Sequence, residues 1–426
     1  MISPAPADGL ESGSSPGSSD AARKGWALCL SGGGYRAALF HLGAVRRLNE
    51  CGVLGRMDLV SSVSGGSILA AHLARVLSPW PRTGEVVTDW TPCVAAPFQA
   101  FCRVDIRTPA LLASLRHPWR CLTAGLDPAR LETAYHRLLT SARLAELPEH
   151  PRFVFCATEI LTGTLWRFER DQIRTWRTRR LKPGPDDTVA RAVAASSCFP
   201  PLFAPMPPTR EQGRIRDIVL EDGRTLAASD LRLSDGGLYD NLGIQPAIKQ
   251  HRVLLVSDGG VPFDFVPSHG VLARNRRYIE VMGKQVANLR WREFHALRNQ
   301  GKILGGYWSL TGTGTPEPRA PGSYSGKFAR EVIATIRTDL NPFTAVEAGV
   351  LENHGYWQAE STLRKNAPKL QLPALPHAQS PWPDLQDENE LRHALRDRHR
   401  RTPRGLVALI RALWYGRKLP EHPPVP

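Results

Sequence analysis

The chain has 426 residues, of which 42% are hydrophobic and 22% are charged. This balance is ordinary for a globular enzyme and excludes a disordered chain, and no run of about 18 apolar residues predicts a bilayer-spanning helix. The formal net charge of +15 predicts attraction to an anionic partner, for which lipid head groups and nucleic acid both qualify.

The seven cysteines are scattered along the chain and form no C-x-x-C pair. This pattern argues against a disulfide framework and a zinc site and favours a reducing compartment. We therefore expect a cytoplasmic protein. A peripheral position at the inner face of the membrane is expected from the basic C-terminal tail described below.

The chain opens with a segment, residues 1–24, rich in Ser, Pro, Gly and Ala. It lacks the basic and apolar regions of a signal peptide, so a disordered leader is predicted. An apolar strand over 26–30 then runs into glycines, and a helix over 37–48 follows.

The glycines of this turn are Gly32, Gly33 and Gly34. They offer N–H groups at a helix N-terminus, where partial positive charge collects. The turn has neither the G-K-[ST] ending of a P-loop nor G-x-G-x-x-G spacing, so it fits an oxyanion hole better than a phosphate cradle. Arg36 is expected to pin the loop, with contact to an anionic substrate as the alternative.

A second strand-to-helix turn lies at Ser64, between a β-prone run over 59–63 and a helix over 67–77. Gly65 and Gly66 let the backbone take a sharp turn that exposes the hydroxyl, which is the nucleophile-elbow arrangement. The usual G-x-S-x-G pattern is met in part, because Ser62 stands at the first glycine and is still small. Alone, this motif favours an ordinary loop. Its placement between an apolar strand and an amphipathic helix makes the loop and the elbow equally supported.

The catalytic base has two candidates, because S-D-G-G occurs twice. Asp235, followed by Gly236 and Gly237, is preferred because the mixed polar stretch after it indicates a built site. Asp258 closes an apolar strand over 252–256, where a turn residue at a strand end would also be an aspartate.

None of the thirteen histidines has a telling context. His41 and His72 lie on the helices that follow the two turns, where packed or surface positions are expected. A Ser-His-Asp triad stays open at this stage, because its members meet only in the fold. No calcium loop of the D-x-D-x-D-G type is present, and we expect neither a metal nor a cofactor.

Strands alternate with helices through the first 260 residues, which predicts an α/β fold with a parallel-rich sheet covered on both faces. The runs 152–160 and 164–168 are expected to be neighbouring strands. Residues 79–125, rich in proline and aromatics, are expected to form an insertion or cap over the site.

Five prolines mark residues 368–385 as an extended linker, and residues 386–426 follow as a basic tail. Within this tail, Leu391 to Lys418 has an apolar stripe and a cationic rim at helical spacing. We expect it to bind anionic membrane as an interfacial helix. The alternative is that its apolar stripe packs on the catalytic domain.

These motifs together resemble those of the patatin-like phospholipase family. The oxyanion loop G-G-G-x-R/K, the elbow and the D-G-G/A motif occur here in the same order, as Gly32, Gly33, Gly34 with Arg36, Ser64 with Gly66, and Asp235 with Gly236. Residues 194–201 also resemble the family's segment ahead of the D-G-G/A motif. The likeness covers about residues 25–260, with a less specific continuation at 336–340 and 353–356.

The resemblance implies a three-layer α/β sandwich with a mostly parallel central sheet. The catalytic domain would cover residues 25–367, with 25–260 as its core and a C-terminal helical portion to 367. It also implies a dyad of Ser64 and Asp235 without histidine or metal, in which an acyl-serine forms and the amides of Gly33, Gly34 and Gly65 hold the oxyanion.

The activity implied is that of a phospholipase A or lysophospholipase in lipid degradation. Its partners would be a phospholipid or other lipid ester and an anionic membrane surface, and nucleic acid is not an expected partner. Acyl transfer or thioester hydrolysis at the same site is one alternative. A non-catalytic lipid- or nucleic-acid-binding role for the basic tail is another.

Overall fold

The computed structural model of the protein describes residues 23–109, 125–177, 180–200, 202–210, 213–219, 223–260, 271–312 and 322–400. Most of the predicted leader lies outside the described residues, as do positions 110–124 of the predicted cap. The apolar half of the basic tail, residues 401–426, also lies outside them.

The described strands form an eight-stranded sheet and a small hairpin, and they are β1 Trp26–Leu30, β2 Met57–Val63, β3 Arg152–Glu159, β4 Thr164–Phe168, β5 Ile173–Arg174, β6 Ile218–Val219, β7 Thr225–Leu226, β8 Leu233–Asp235, β9 Val253–Asp258 and β10 Leu304–Ser309. The sheet order is β10-β9-β1-β2-β3-β4-β5, and β8 pairs with β3. Strands β10, β9, β1, β2 and β3 are parallel, whereas β4, β5 and β8 join antiparallel. The predicted parallel-rich sheet is confirmed.

The described helices are α1 Gly34–Glu50, α2 Gly65–Val76, α3 Ala96–Cys102, α4 Pro128–Leu138, α5 Val189–Ser196, α6 Gly237–Asp240, α7 Val271–Asn299, α8 Gly326–Glu331, α9 Ala345–Asn366 and α10 Glu388–Arg400. Short 3₁₀ turns at 54–56, 144–146, 228–230 and 333–335 and a π turn at 91–95 connect them. The two helices predicted beside the site therefore begin at the glycines themselves, because Gly34 and Gly65 already take helical positions.

Side chains of the sheet alternate between two apolar layers, as the period of a strand requires. Leu28 and Leu30 of β1 join the core that includes α1 and α2 residues, whereas Ala27 and Cys29 join a second core. Phe294 of α7 belongs to that second core. Helices therefore cover both faces, and the predicted three-layer sandwich is confirmed.

Helix α9 fixes the C-terminal portion to the core by crossing α1 at two glycines. A Cβ on Gly43 would lie 1.8 Å from the Glu352 carbonyl oxygen, and one on Gly355 would lie 1.8 Å from the Phe40 carbonyl oxygen. The two backbones therefore touch where only glycine fits. Because α1 begins at the glycine loop, α9 supports that loop from behind.

The first part of residues 79–125 follows the insertion alternative and not the cap over the site. Trp80 Nε1 donates to the Leu54 carbonyl oxygen and Thr83 Oγ1 donates to that of Gly55. Both acceptors precede β2, so this part of the segment lies at the amino edge of the sheet, away from the turn that follows β2. Prolines and aromatics marked an irregular segment, but composition does not tell which edge such a segment covers.

The Pro-rich segment, predicted to be an extended linker, packs on α9. The Asn353 side chain accepts from Trp382 N at 2.8 Å, and Trp357 Nε1 donates to Ser380 Oγ at 2.9 Å. Helix α10 continues this packing, since Leu391 is buried and Arg392 pairs with Glu331 at 3.0 Å. The described part of the tail thus follows the packed alternative.

Candidate active site

Ser64 lies at the carboxyl end of β2, where the chain turns into α2. Its backbone has φ 49° and ψ −116°, a combination that an L-residue rarely adopts and that costs about 1–3 kcal/mol. The residue is 9% exposed, and its N–H donates to Ser196 Oγ at 2.9 Å. The strand, the strained residue and the helix form the elbow that the sequence predicted at this position.

The glycine loop after β1 packs directly against this elbow. A Cβ on Gly65 would lie 2.1 Å from the Gly34 carbonyl oxygen and 2.8 Å from the Gly34 nitrogen, and one on Gly32 would lie 3.1 Å from Ser64 Cβ. Gly33 and Gly34 have φ values of 141° and 59°, which favour glycine. The loop and the elbow can approach this closely only because Gly34 and Gly65 carry no side chain.

Three amides at this contact find no acceptor in the described part of the chain. Among the described residues, none accepts a hydrogen bond from the N–H groups of Gly33, Gly34 or Gly65, whereas Gly32 N donates to the Asn241 carbonyl oxygen and Gly66 N to that of Ser31. Unpaired N–H groups at the first turns of two helices carry partial positive charge. They can stabilise a negative oxygen that develops beside Ser64.

Asp235 ends β8, which pairs with β3 so that Asp235 lies opposite Ala157. Since β3 is the neighbour of β2, the carboxylate comes to the side of Ser64. Oδ1 accepts from Gly237 N at 2.8 Å, while Oδ2 is buried and has no hydrogen-bond partner among the described residues. Burial raises the pKa of Asp235 to about 6, and the contacts with Gly237 and with the Ser64 hydroxyl oppose this rise. A buried carboxylate with one unsatisfied oxygen near a hydroxyl is suited to accept its proton.

The second S-D-G-G copy has a different environment. Asp258 ends β9, which is separated from β2 by β1, and two strand spacings amount to about 10 Å. Oδ1 accepts from Gly260 N at 2.9 Å and Oδ2 accepts from the Tyr307 hydroxyl at 2.5 Å. Both oxygens of Asp258 are therefore occupied, as expected of a turn residue at a strand end.

The two histidines nearest in sequence to the motifs are buried and hydrogen-bonded elsewhere. His41 Nδ1 lies 2.7 Å from Ser257 Oγ and Nε2 lies 3.0 Å from the Ser31 carbonyl oxygen, while His72 Nε2 lies 2.8 Å from that of Val94. Burial lowers the pKa of each to about 4. Within the described ranges, no hydrogen bond joins a histidine to Ser64 or Asp235.

Arg36 is buried behind the glycine loop and binds backbone carbonyls. Its guanidinium donates to Ile336 O at 3.0 Å, Ala334 O at 3.3 Å and Gly259 O at 3.2 Å. Burial lowers its pKa to about 10 against the field of Asp258. These contacts place Arg36 in the loop-pinning position, with its charge directed at the protein and not at a substrate.

Sequence reasoning missed a chain of buried serines behind the elbow. Ser196 Oγ accepts from Ser64 N and donates to the Cys156 carbonyl oxygen at 2.6 Å. Ser67 Oγ lies 2.9 Å from Ser196 Oγ and 3.0 Å from Ser62 Oγ. The hydroxyl of Ser62, the residue that departs from the usual glycine, is thus hydrogen-bonded, and the chain fixes the strained turn. The motif resemblance over 194–201 was the available signal for Ser196.

The described residues were also searched for a metal site and for a membrane-spanning helix. Within the described ranges, no group of three or more His, Cys, Asp or Glu side chains is arranged to hold a metal ion. No helix in the described part of the chain is both long and apolar enough to cross a membrane.

Comparison with known proteins found a matching family model and several matching solved structures. The Patatin family model, described as patatin-like phospholipase, matches residues 28–248, more than half of the chain. Human GIVD cytosolic phospholipase A2 has a similar structure at 12% identity, with a TM-score of 0.48 and coverage of 88% of this chain and 60% of that one. VipD from Legionella pneumophila matches at 14% identity with a TM-score of 0.31, over 81% of this chain and 67% of that chain. The chain thus spans 60% of the human enzyme's length, and no curated protein sequence matches it.

Proposed function

Because the chain belongs to the patatin-like phospholipase family, we propose that it is a lipid acyl hydrolase that cleaves carboxylic ester bonds of phospholipids or lysophospholipids. The observation that carries this proposal is the strained Ser64, beside a buried carboxylate and three glycine amides. Among the described residues, one carboxylate oxygen and all three amides have no hydrogen-bond partner. A nucleophile, a base and donors for an oxyanion are the groups that acyl transfer to serine requires.

In the proposed reaction, Asp235 Oδ2 accepts the proton of the Ser64 hydroxyl while Oγ attacks the acyl carbonyl carbon. The carbonyl oxygen becomes negative and accepts hydrogen bonds from Gly33, Gly34 and Gly65. The alcohol leaves as the acyl-serine forms, and the proton held by Asp235 passes to it. Water then adds to the acyl-serine by the same proton path and releases the fatty acid.

The pKa of Asp235 supports this role. At an ordinary aspartate pKa near 3.9, a carboxylate is a weak acceptor for a serine proton. Burial raises the pKa of Asp235 to about 6, so the group is a stronger base and is still ionised at neutral pH. General bases work best when their pKa lies near the working pH.

The oxyanion donors provide the second contribution. Removing one such donor from other serine hydrolases lowers the rate by about 10²–10³. Here the donors are backbone amides fixed by the contact between Gly34 and Gly65, so no side chain has to be ordered when charge develops.

The experiment is a measurement of fatty acid release from micellar phospholipid, lysophospholipid and acylglycerol by the wild type, Ser64→Ala and the control Ser229→Ala. Ser229 lies in an exposed 3₁₀ turn, so its variant loses the same atom away from the site. We expect loss of at least 10³-fold in kcat for Ser64→Ala and wild-type rates for the control. Release of fatty acid by a pure, folded Ser64→Ala variant at more than a few per cent of the wild-type rate would contradict the proposal.

A further inference from the structure

Helix α7 exposes a row of large apolar side chains. Tyr278 is 59% exposed, and Met282 and Leu289 are each 60% exposed. At 3.6 residues per turn, these three positions lie on one face of the helix. Val281 is also exposed beside this face. We call Tyr278, Val281, Met282 and Leu289 the α7 apolar face.

The other half of α7 holds the helix on the body of the protein. Phe294 is buried in the core beneath the sheet, and the Arg290 guanidinium lies over the ring of Tyr239 in α6. Helix α6 follows Asp235 directly. The α7 apolar face is therefore carried on a helix anchored beside the candidate site.

The length of α7 takes its first turns past the sheet. Its 29 residues span about 43 Å, whereas the six residues of β9 or β10 span about 20 Å. The helix ends beside the starts of these strands, since Arg252 donates to the Gly301 carbonyl oxygen. The excess length thus extends beyond the carboxyl edge, which is the edge at which Ser64 follows β2.

The charge of α7 favours contact with an anionic surface. The helix carries seven Arg and Lys residues against two Glu, a net charge of +5. Both glutamates pair with arginines of the same helix, Glu280 with Arg277 and Glu293 with Arg290. Of the other basic residues, Arg274 and Arg292 are exposed.

We propose that the α7 apolar face is the surface by which the protein enters an anionic lipid interface, with the candidate site facing the lipid. The inference rests on the proposed function for the identity of the substrate. Exposed aromatic and aliphatic side chains enter the head-group boundary, and the surrounding cations bind anionic lipid. The projection past the carboxyl edge brings Ser64 to the same side as the membrane.

Two other occupants of this face have the wrong charge. Residues 401–426 carry five Arg and Lys against one Glu, a net charge of +4, so they repel a helix of +5. A second copy of the chain would bring another +5 helix to the same face. An acidic protein would match the charge, but an apolar row that includes Tyr278 is typical of a lipid interface.

The test compares two double variants of the full chain, Met282→Glu with Leu289→Glu and the control Val86→Glu with Leu138→Glu. Val86 is 41% and Leu138 is 45% exposed, so the control makes the same charge change at two other exposed apolar residues. Val86 follows the segment at the amino edge, away from Ser64. Binding is measured by co-sedimentation with vesicles of phosphatidylglycerol and phosphatidylcholine in equal parts. Hydrolysis of soluble p-nitrophenyl butyrate reports the site without a lipid interface.

We expect the α7 variant to bind the anionic vesicles at least tenfold more weakly than the wild type and the control, with hydrolysis of the soluble ester unchanged. Weaker binding with wild-type ester hydrolysis supports the inference. Vesicle binding by the α7 variant equal to the wild type overturns it, as does a wild type that binds an acidic polypeptide but no vesicles. If neither ester nor lipid is hydrolysed while the α7 variant alone loses vesicle binding, the interface stands and the proposed function fails.

Discussion

The two S-D-G-G aspartates should respond in opposite directions to the same substitution. Asp235 Oδ2 has no hydrogen-bond partner among the described residues. Burial raises the pKa of Asp235 from 3.8 to about 6, against the opposing contacts with Gly237 and the Ser64 hydroxyl. At about 1.36 kcal/mol per pH unit, this difference means that ionised Asp235 destabilises the native state by about 3 kcal/mol. Asp258 instead accepts from Gly260 N and the Tyr307 hydroxyl, so replacing it removes a charge-assisted hydrogen bond of about 1.5–3 kcal/mol.

The pH dependence follows from the sign of the shift. A carboxyl group whose pKa is higher in the folded state binds its proton more tightly there, so its contribution to stability is full below pH 3.8 and is lost as the pH rises through about 6. Asp235→Asn has no such group. It should exceed the wild type in free energy of unfolding by about 3 kcal/mol at pH 8, and by about 1.4 kcal/mol less at pH 5.

The assay is urea unfolding of the wild type, Asp235→Asn and Asp258→Asn at pH 5 and pH 8. We expect Asp235→Asn to be more stable than the wild type and Asp258→Asn to be less stable at both values. A destabilised Asp235→Asn at pH 8, or a difference from the wild type that does not change between the two pH values, would refute the reasoning about the site.

Three further outcomes are expected. The kcat/KM for a soluble ester should rise about tenfold per pH unit below about pH 6 and level off above it, because Asp235 must be ionised to accept a proton; an acid limb centred near pH 4 would contradict this. Ser64→Gly and Ser64→Ala should both be inactive. Because glycine tolerates the φ of 49°, the free energy of unfolding in urea should be about 1–2 kcal/mol higher for Ser64→Gly than for Ser64→Ala. Equal stability of the two variants would argue against strain at this position. In Gly65→Ala the new Cβ would lie 2.1 Å from the Gly34 carbonyl oxygen, so kcat/KM should fall at least about 100-fold. The control Gly283→Ala places its Cβ in open space and should keep full activity. Equal kcat/KM for the two variants would contradict the oxyanion assignment.

Local patterns were enough to predict the two turns that carry the glycine loop and Ser64. In each, a short apolar run meets glycines and then a helical pattern, and these signals lie within a few residues of one another. The alternation of such units also predicted the parallel sheet, which the structure confirms.

The choice between the two aspartates could not be made from spacing alone. It depends on β8 pairing with β3, next to β2, while β9 lies on the far side of β1. Ser196 was hidden for the same reason, since it meets Ser64 across 132 positions of the chain. Composition predicted that the Pro-rich segment is irregular, but it could not predict that the segment packs on α9. That packing depends on individual contacts of Trp382 and Ser380.

The central claim is that Ser64 is a nucleophile activated by Asp235. A lipid fluorophosphonate reports it directly, because the attacking serine oxygen displaces fluoride at phosphorus and stays bound. After incubation with the full chain, peptide mass spectrometry should find the adduct on Ser64 of the wild type, no adduct in Ser64→Ala, and labelling at least 100-fold slower in Asp235→Asn at pH 8. An adduct on another serine, or labelling of Asp235→Asn at the wild-type rate, would contradict the account.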